Sequence, residues 1–160
     1  MILLIDADSL VFGACYRKKQ NKEDYPYHTD IEDAKSKYDE IFHKMLNDIE
    51  EIYEIDDVMV FSNARGNFRK MITKKYKANR TYTEKPPLLY EMHQYVTKQY
   101  DSIGGCGVET DDVVARYWKE ICERAGRNNV MIVSLDKDYK QFPCLYYNYH
   151  YKHKCVYDIS

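Results

Sequence analysis

The chain has 160 residues, with 24 lysines and arginines against 26 aspartates and glutamates, for a formal net charge of −2. That length accommodates one α/β domain with a real core and excludes two comfortable ones. No run approaches the roughly 18 apolar residues that cross a bilayer, Asp6 and Asp8 interrupt the apolar start, and five cysteines include no CxxC pair, so a cytoplasmic chain with reduced thiols and no membrane partner is expected.

Met1 to Ile5 is a continuous apolar run ending in Asp-Ala-Asp-Ser, the pattern of a central parallel strand that delivers acids at its C-terminal end. Open α/β folds place their sites there. Ser9 to Arg17 reads as helix and Lys18 to Thr29 as a polar loop. From Asp30 to Tyr53, residues Ala34, Tyr38, Ile41, Phe42, Met45, Ile49, Ile52 and Tyr53 recur at steps of three and four, which predicts a long amphipathic helix. Asp57 to Ser62 predicts a second buried strand, followed by the turn residues Asn-Ala-Arg-Gly.

Between Arg65 and Lys85 the composition changes: eight basic residues stand against one acid, Glu84, with Phe68, Tyr76 and Tyr82 interleaved. Arg65, Arg69, Lys70, Lys74, Lys75, Lys77 and Arg80 can neutralise backbone phosphates, while Tyr76 or Tyr82 can stack on an unpaired base. Leu88 to Tyr100 predicts another helix. Gly104 to Gly107 forms a flexible approach to Glu109-Thr110-Asp111-Asp112, which opens a helix running to Ala125, with Gly126 as its stop. Val130 to Ser134 is a third buried strand ending in Asp136 and Asp138, and Leu145 to Tyr149 with Cys155 to Ile159 predict a final strand pair. His150, His153 and Cys155 alternate with tyrosines as the water-facing side chains of a strand do, and are not taken as a zinc site.

Three segments thus bring carboxylates to one end of one sheet: Asp6 and Asp8; Glu109, Asp111 and Asp112; Asp136 and Asp138. Any one of them alone is ordinary capping and dipole chemistry. Together they would repel strongly without cations. Hard oxygen ligands select Mg²⁺ or Mn²⁺, which keep part of their water shell and accept phosphate oxygens. Two such ions about 4 Å apart suit in-line phosphoryl displacement, so phosphodiester hydrolysis is the expected chemistry.

Four segments carry a family resemblance: Leu4-Ile5-Asp6-Ala7-Asp8 with Leu10-Val11-Phe12; Phe68-Arg69-Lys70 with Tyr76-Lys77-Ala78-Asn79-Arg80; Glu109-Thr110-Asp111-Asp112-Val113; and Ser134-Leu135-Asp136-Lys137-Asp138-Tyr139-Lys140. In this order and spacing the chain resembles the flap-endonuclease superfamily, most closely bacteriophage 5′-to-3′ exonucleases, over about residues 1 to 150. The resemblance implies a PIN-like three-layer α/β domain over 1–160 with a mostly parallel central sheet, and a basic helical arch at about 65–87. It implies a first ion on Asp6, Glu109 and Asp111, a second reached by Asp111, Asp136 and Asp138, and Asp8 and Asp112 as outer ligands. Lys77 matches the arch lysine near the scissile phosphate, Arg69 and Arg80 match basic neighbours, and Tyr76 is a stacking platform.

The substrates implied are DNA with a 5′ end or flap, or an RNA primer, in phage DNA replication. Two departures stand out. Ser62-Asn63 replaces the aspartate expected at the end of the second strand, leaving Asn63 as a neutral oxygen ligand. No helix-hairpin-helix-like duplex-binding element follows the last strands before Ser160, which implies poor duplex affinity and a partner chain as one way to supply that element. A PIN-type ribonuclease and a catalytically weak nucleic-acid-binding subunit that needs a partner are the alternative readings.

Overall fold

The computed structural model describes residues 1–63, 85–104, 108–150 and 155–159. Its elements are β1 (Ile2–Asp6), α1 (Asp8–Ala14), α2 (Ile31–Glu50), β2 (Asp57–Phe61), α3 (Leu89–Gln99), α4 (Thr110–Ala125), β3 (Val130–Val133), β4 (Leu145–Asn148) and β5 (Cys155–Asp158), with 3₁₀ turns at Arg127–Asn129 and Lys137–Gln141. The predicted basic arch and its residues Arg65, Arg69, Lys70, Lys74, Lys75, Tyr76, Lys77, Arg80 and Tyr82 lie outside the described residues, as do Gly105 to Gly107 and His153.

The five strands form one sheet in the order β2-β1-β3-β4-β5. β1 pairs in parallel with β2 and with β3, and β3 pairs in parallel with β4. Only β5 runs antiparallel, against β4. Because the first four strands point the same way, the ends of β1, β2 and β3 share one edge, and everything that follows them emerges there.

Side chains alternate across the pleat. Leu3 and Ile5 of β1, Val60 of β2, Met131 and Val133 of β3, and Leu145 and Tyr147 of β4 join one core with residues of α1, α2 and α3. Leu4, Phe61, Val130, Ile132 and Tyr146 face the other way and pack with Val113 and Val114 of α4 and with Tyr139. The result is three layers, helix on sheet on helix. β1 and β3 are apolar on both faces because both faces are covered, which is why they read as unbroken apolar runs instead of alternating ones.

Helix bounds follow local chemistry. Asp30 caps α2, its carboxylate accepting the Glu32 N–H at 2.9 Å, an interaction of about 1 kcal/mol. Ala34, Tyr38, Phe42, Met45 and Ile49 form the buried stripe of that helix. α1 stops at Ala14, three residues before the predicted Arg17. The cause is tertiary: Tyr16 bridges to Tyr27, the Arg17 N–H donates to Pro26 O at 2.8 Å, and the His28 N–H donates to Cys15 O at 2.7 Å. α4 begins at Thr110, with Glu109 at the N-cap position, and ends at Gly126, whose φ of 89° suits a residue without a Cβ. Among the described residues no helix is long and apolar enough to cross a membrane.

Candidate metal centre

The edge where β1, β2 and β3 end carries the acids. Asp6 closes β1 and is buried, at 5% exposure. Both its oxygens are engaged: Oδ1 accepts the Asp8 N–H at 3.2 Å, and Oδ2 accepts the Tyr139 hydroxyl at 2.6 Å. Burial, followed by the charge of Asp8, pushes the Asp6 carboxyl up to about 7, against the lowering effect of the Tyr139 hydrogen bond. Burial beside these carboxylates holds the Tyr139 phenol far above its ordinary range, so it stays a donor.

β3 leads through buried Ser134 into the 3₁₀ turn that presents Asp136 and Asp138. The Asp136 N–H donates to Ser134 Oγ at 2.9 Å, and Asp136 Oδ1 in turn accepts the Asp138 N–H at 2.9 Å. Such local bonds fix the turn without help from a ligand. Opposite it, the start of α4 presents Glu109, Asp111 and Asp112, with the Asp112 N–H donating to Asp111 Oδ1 at 2.9 Å. A helix N-terminus favours negative charge, so this end tolerates three acids in four residues.

Two carboxylate groups result. Glu109, Asp111 and Asp112 offer oxygens within 4.8 Å of one another, and so do Asp111, Asp136 and Asp138. Asp111 belongs to both. Burial first, then neighbouring carboxylates, raise the pKa of Glu109 and of Asp111. Mutual repulsion on this scale, in a donor set made only of hard oxygens, fits a divalent cation of the magnesium class. A cleft of about 250 Å³ opens beside the groups, bordered by Asp112, Asp138, Gln141 and Phe142.

The remaining expected residues are placed differently. Asp6 lies outside the two groups, with its carboxylate given to Tyr139 and Asp8, and is linked to them through the repulsion of Asp136. Asp8 is the first residue of α1 and accepts from Asn63 and Thr110. The Asn63 side-chain oxygen is buried and finds no hydrogen-bond partner among the described residues, and the residue borders a second hollow with Phe12 and Tyr16. Such an orphaned acceptor is costly unless water or a cation meets it.

Three residues of the site were not singled out by sequence reasoning. Tyr139 is the donor to Asp6, Thr110 is a donor to Asp8, and buried His93 sits with Nδ1 2.9 Å from Ser62 Oγ and 3.9 Å from Asp8 Oδ1. Tyr139 and Thr110 do fall within the two acidic motifs, which was the available signal.

The sequence is similar to known proteins. The family described as 5′-3′ exonuclease, N-terminal resolvase-like domain, matches residues 1–156. A curated 5′-3′ exonuclease of Buchnera aphidicola subsp. Schizaphis graminum (strain Sg) is 35% identical over 86 residues, covering 51% of this chain and 29% of that protein. The chain therefore matches less than a third of that relative's length. No solved structure matches it. With a mostly parallel sheet, two acid groups at its C-terminal edge and a family match over nearly its whole length, the chain belongs to the 5′-3′ exonuclease N-terminal, resolvase-like, PIN-like domain family.

Proposed function

We propose that this chain is the catalytic domain of a metal-dependent nuclease that hydrolyses DNA phosphodiesters from a 5′ end or flap. The observation that carries the reading is Asp111, common to two carboxylate groups, in a chain of this family. Glu109, Asp111 and Asp112 on one side and Asp136 and Asp138 on the other would hold Mg²⁺ or Mn²⁺, with Asp6 and Asn63 as further oxygen ligands and Asp8 beside them. A cation held there supplies Lewis acidity to a phosphate oxygen and lowers the pKa of water.

The chain's own residues do the rest. The Ser134, Asp136 and Asp138 turn is fixed by its own hydrogen bonds, one of which holds the Asp136 carboxylate, as a preorganised site requires. Tyr139 keeps Asp6 oriented and biased toward the ionised form. In the sequence, Arg65, Arg69, Lys70, Lys74, Lys75, Lys77 and Arg80 supply the positive charge that would neutralise phosphates, Lys77 being the residue assigned to the scissile phosphate, and Tyr76 and Tyr82 the rings that would stack on unpaired bases. Removal of flaps or RNA primers during phage DNA replication is the biological setting this chemistry suits.

The test is cleavage of a 5′-labelled flap duplex and of a matching single-stranded RNA, with Mg²⁺ or Mn²⁺. Short labelled 5′ DNA products support the proposal, and preferential RNA cleavage supports a PIN-type ribonuclease. Retained DNA binding without cleavage points to a subunit that needs a partner.

A further inference from the structure

The acids at the sheet edge come from segments far apart in sequence, and one side chain ties those segments together. Asp8 Oδ1 accepts the Asn63 N–H at 2.9 Å, and Asp8 Oδ2 accepts the Thr110 hydroxyl at 2.5 Å. Its own N–H donates to Asp6 Oδ1 at 3.2 Å. Asn63 follows the end of β2 and directly precedes the basic segment of the sequence. Thr110 is the first residue of α4 and stands between Glu109 and Asp111. Close by, His93 of α3 meets Ser62 Oγ at 2.9 Å, and both residues are buried.

A carboxylate whose two oxygens already accept protein donors is held from the protein side, and its rotation is no longer free. Asp8 is also absent from both groups of mutually close carboxylate oxygens. Thr110 stands between Glu109 and Asp111 at the start of α4, so a bond that fixes Thr110 bears on where those acids lie. We infer that Asp8 is a positioning residue: it clasps Asn63 and Thr110 to the end of β1 and thereby sets the α4 carboxylates against Asp6 and Asp136, without ligating an ion itself. This rests on the metal-centre reading proposed above. Asparagine at position 8 can still accept from Asn63 and can donate to the Thr110 hydroxyl, so it preserves the clasp while removing the charge. A carboxylate that ligates the ion would lose affinity in that exchange.

The test compares Asp8→Ala, Asp8→Asn, Thr110→Val and Thr110→Ser in the full chain, by Mn²⁺ affinity from electron paramagnetic resonance and by amide hydrogen exchange without metal. Loss of an outer hydrogen-bond partner typically weakens metal binding about 10–100-fold. The expected result is a loss of at least tenfold in Asp8→Ala and Thr110→Val, with Asp8→Asn and Thr110→Ser within about threefold of the parent. In the same experiment Asp8→Ala deprotects the Asn63 amide and the first turn of α4, and Asp8→Asn keeps both protected. An Asp8→Asn protein as weak as Asp8→Ala, beside an unaffected Thr110→Val, overturns the inference and makes Asp8 a ligand. If the parent binds no Mn²⁺, the metal-centre reading fails on its own, and the exchange data still decide the clasp: lost protection in Asp8→Ala upholds it and unchanged protection removes it.

Discussion

Tyr139 donates its hydroxyl to Asp6 Oδ2 at 2.6 Å, joining the turn after β3 to the end of β1 across 133 positions of sequence. The bond favours the charged carboxylate and so opposes the burial that pushes Asp6 up to about 7. Tyr139→Phe removes the donor and keeps the ring packed on Tyr146. We expect the Asp6 pKa of the metal-free protein to rise further in this variant. An NMR titration of the Asp6 carboxyl in parent and variant, in EDTA, checks this; an unchanged midpoint contradicts it.

The same carboxylate makes metal-free stability depend on pH. The folded-state pKa of Asp6, about 7, lies above the ordinary aspartate value of 3.8, so the native state keeps a proton that the unfolded chain has released. Stability is therefore greatest below about pH 4 as far as this group is concerned, and falls as pH rises through about 7. Glu109 and Asp111 act in the same direction, weakened by their greater exposure to solvent. The Asp6 contribution is on the order of 3 kcal/mol. Urea unfolding in EDTA at pH 5 and pH 7.5 should show that loss in the parent and a much smaller one in Asp6→Asn.

Much of this site was legible in the sequence because strand ends and helix starts announce themselves. Asp6, Asp136 and Asp138 follow apolar runs, and Glu109, Asp111 and Asp112 open an amphipathic helix; these positions required only local pattern. What the local pattern could not supply was partnership. Thr110 meets Asp8 across 102 positions and Ser62 meets His93 across 31, distances that depend on how the layers close. The early end of α1 belongs to the same class, since it is set by the pairing of Tyr16 with Tyr27 and not by helix propensity. Asp8 illustrates the boundary: its place beside Asp6 was visible, while its engagement with Asn63 and Thr110 was not.

Asn63 offers a third test. Its side-chain oxygen is buried with no partner among the described residues, while its backbone N–H is already held by Asp8. Asn63→Asp adds a charge without disturbing that backbone bond. The Mg²⁺ concentration giving half-maximal cleavage is expected to fall several-fold, with little change at saturating Mg²⁺. A Mg²⁺ titration with unchanged midpoint removes Asn63 from the metal's surroundings.

Stability away from the site gives a fourth. Leu4 is fully buried at the centre of β1, between Met59 of β2 and Ile132 of β3, in the core shared with α4. Leu4→Ala should cost about 3 kcal/mol by lost burial and the cavity left behind. Denaturant midpoints measure it, and a loss below about 1 kcal/mol would mean that this core collapses to fill the space.

The central claim is that the carboxylate groups sharing Asp111 form one metal centre that cleaves DNA. Its most direct test is Mn²⁺ binding and flap cleavage measured together on the parent and on Asp111→Asn, a nearly isosteric change at a partly exposed position. The account predicts that the parent binds Mn²⁺ and cleaves, and that the variant keeps its fold by circular dichroism while losing Mn²⁺ binding and at least a thousandfold in rate. A folded Asp111→Asn protein that cleaves DNA at the parental rate would contradict it.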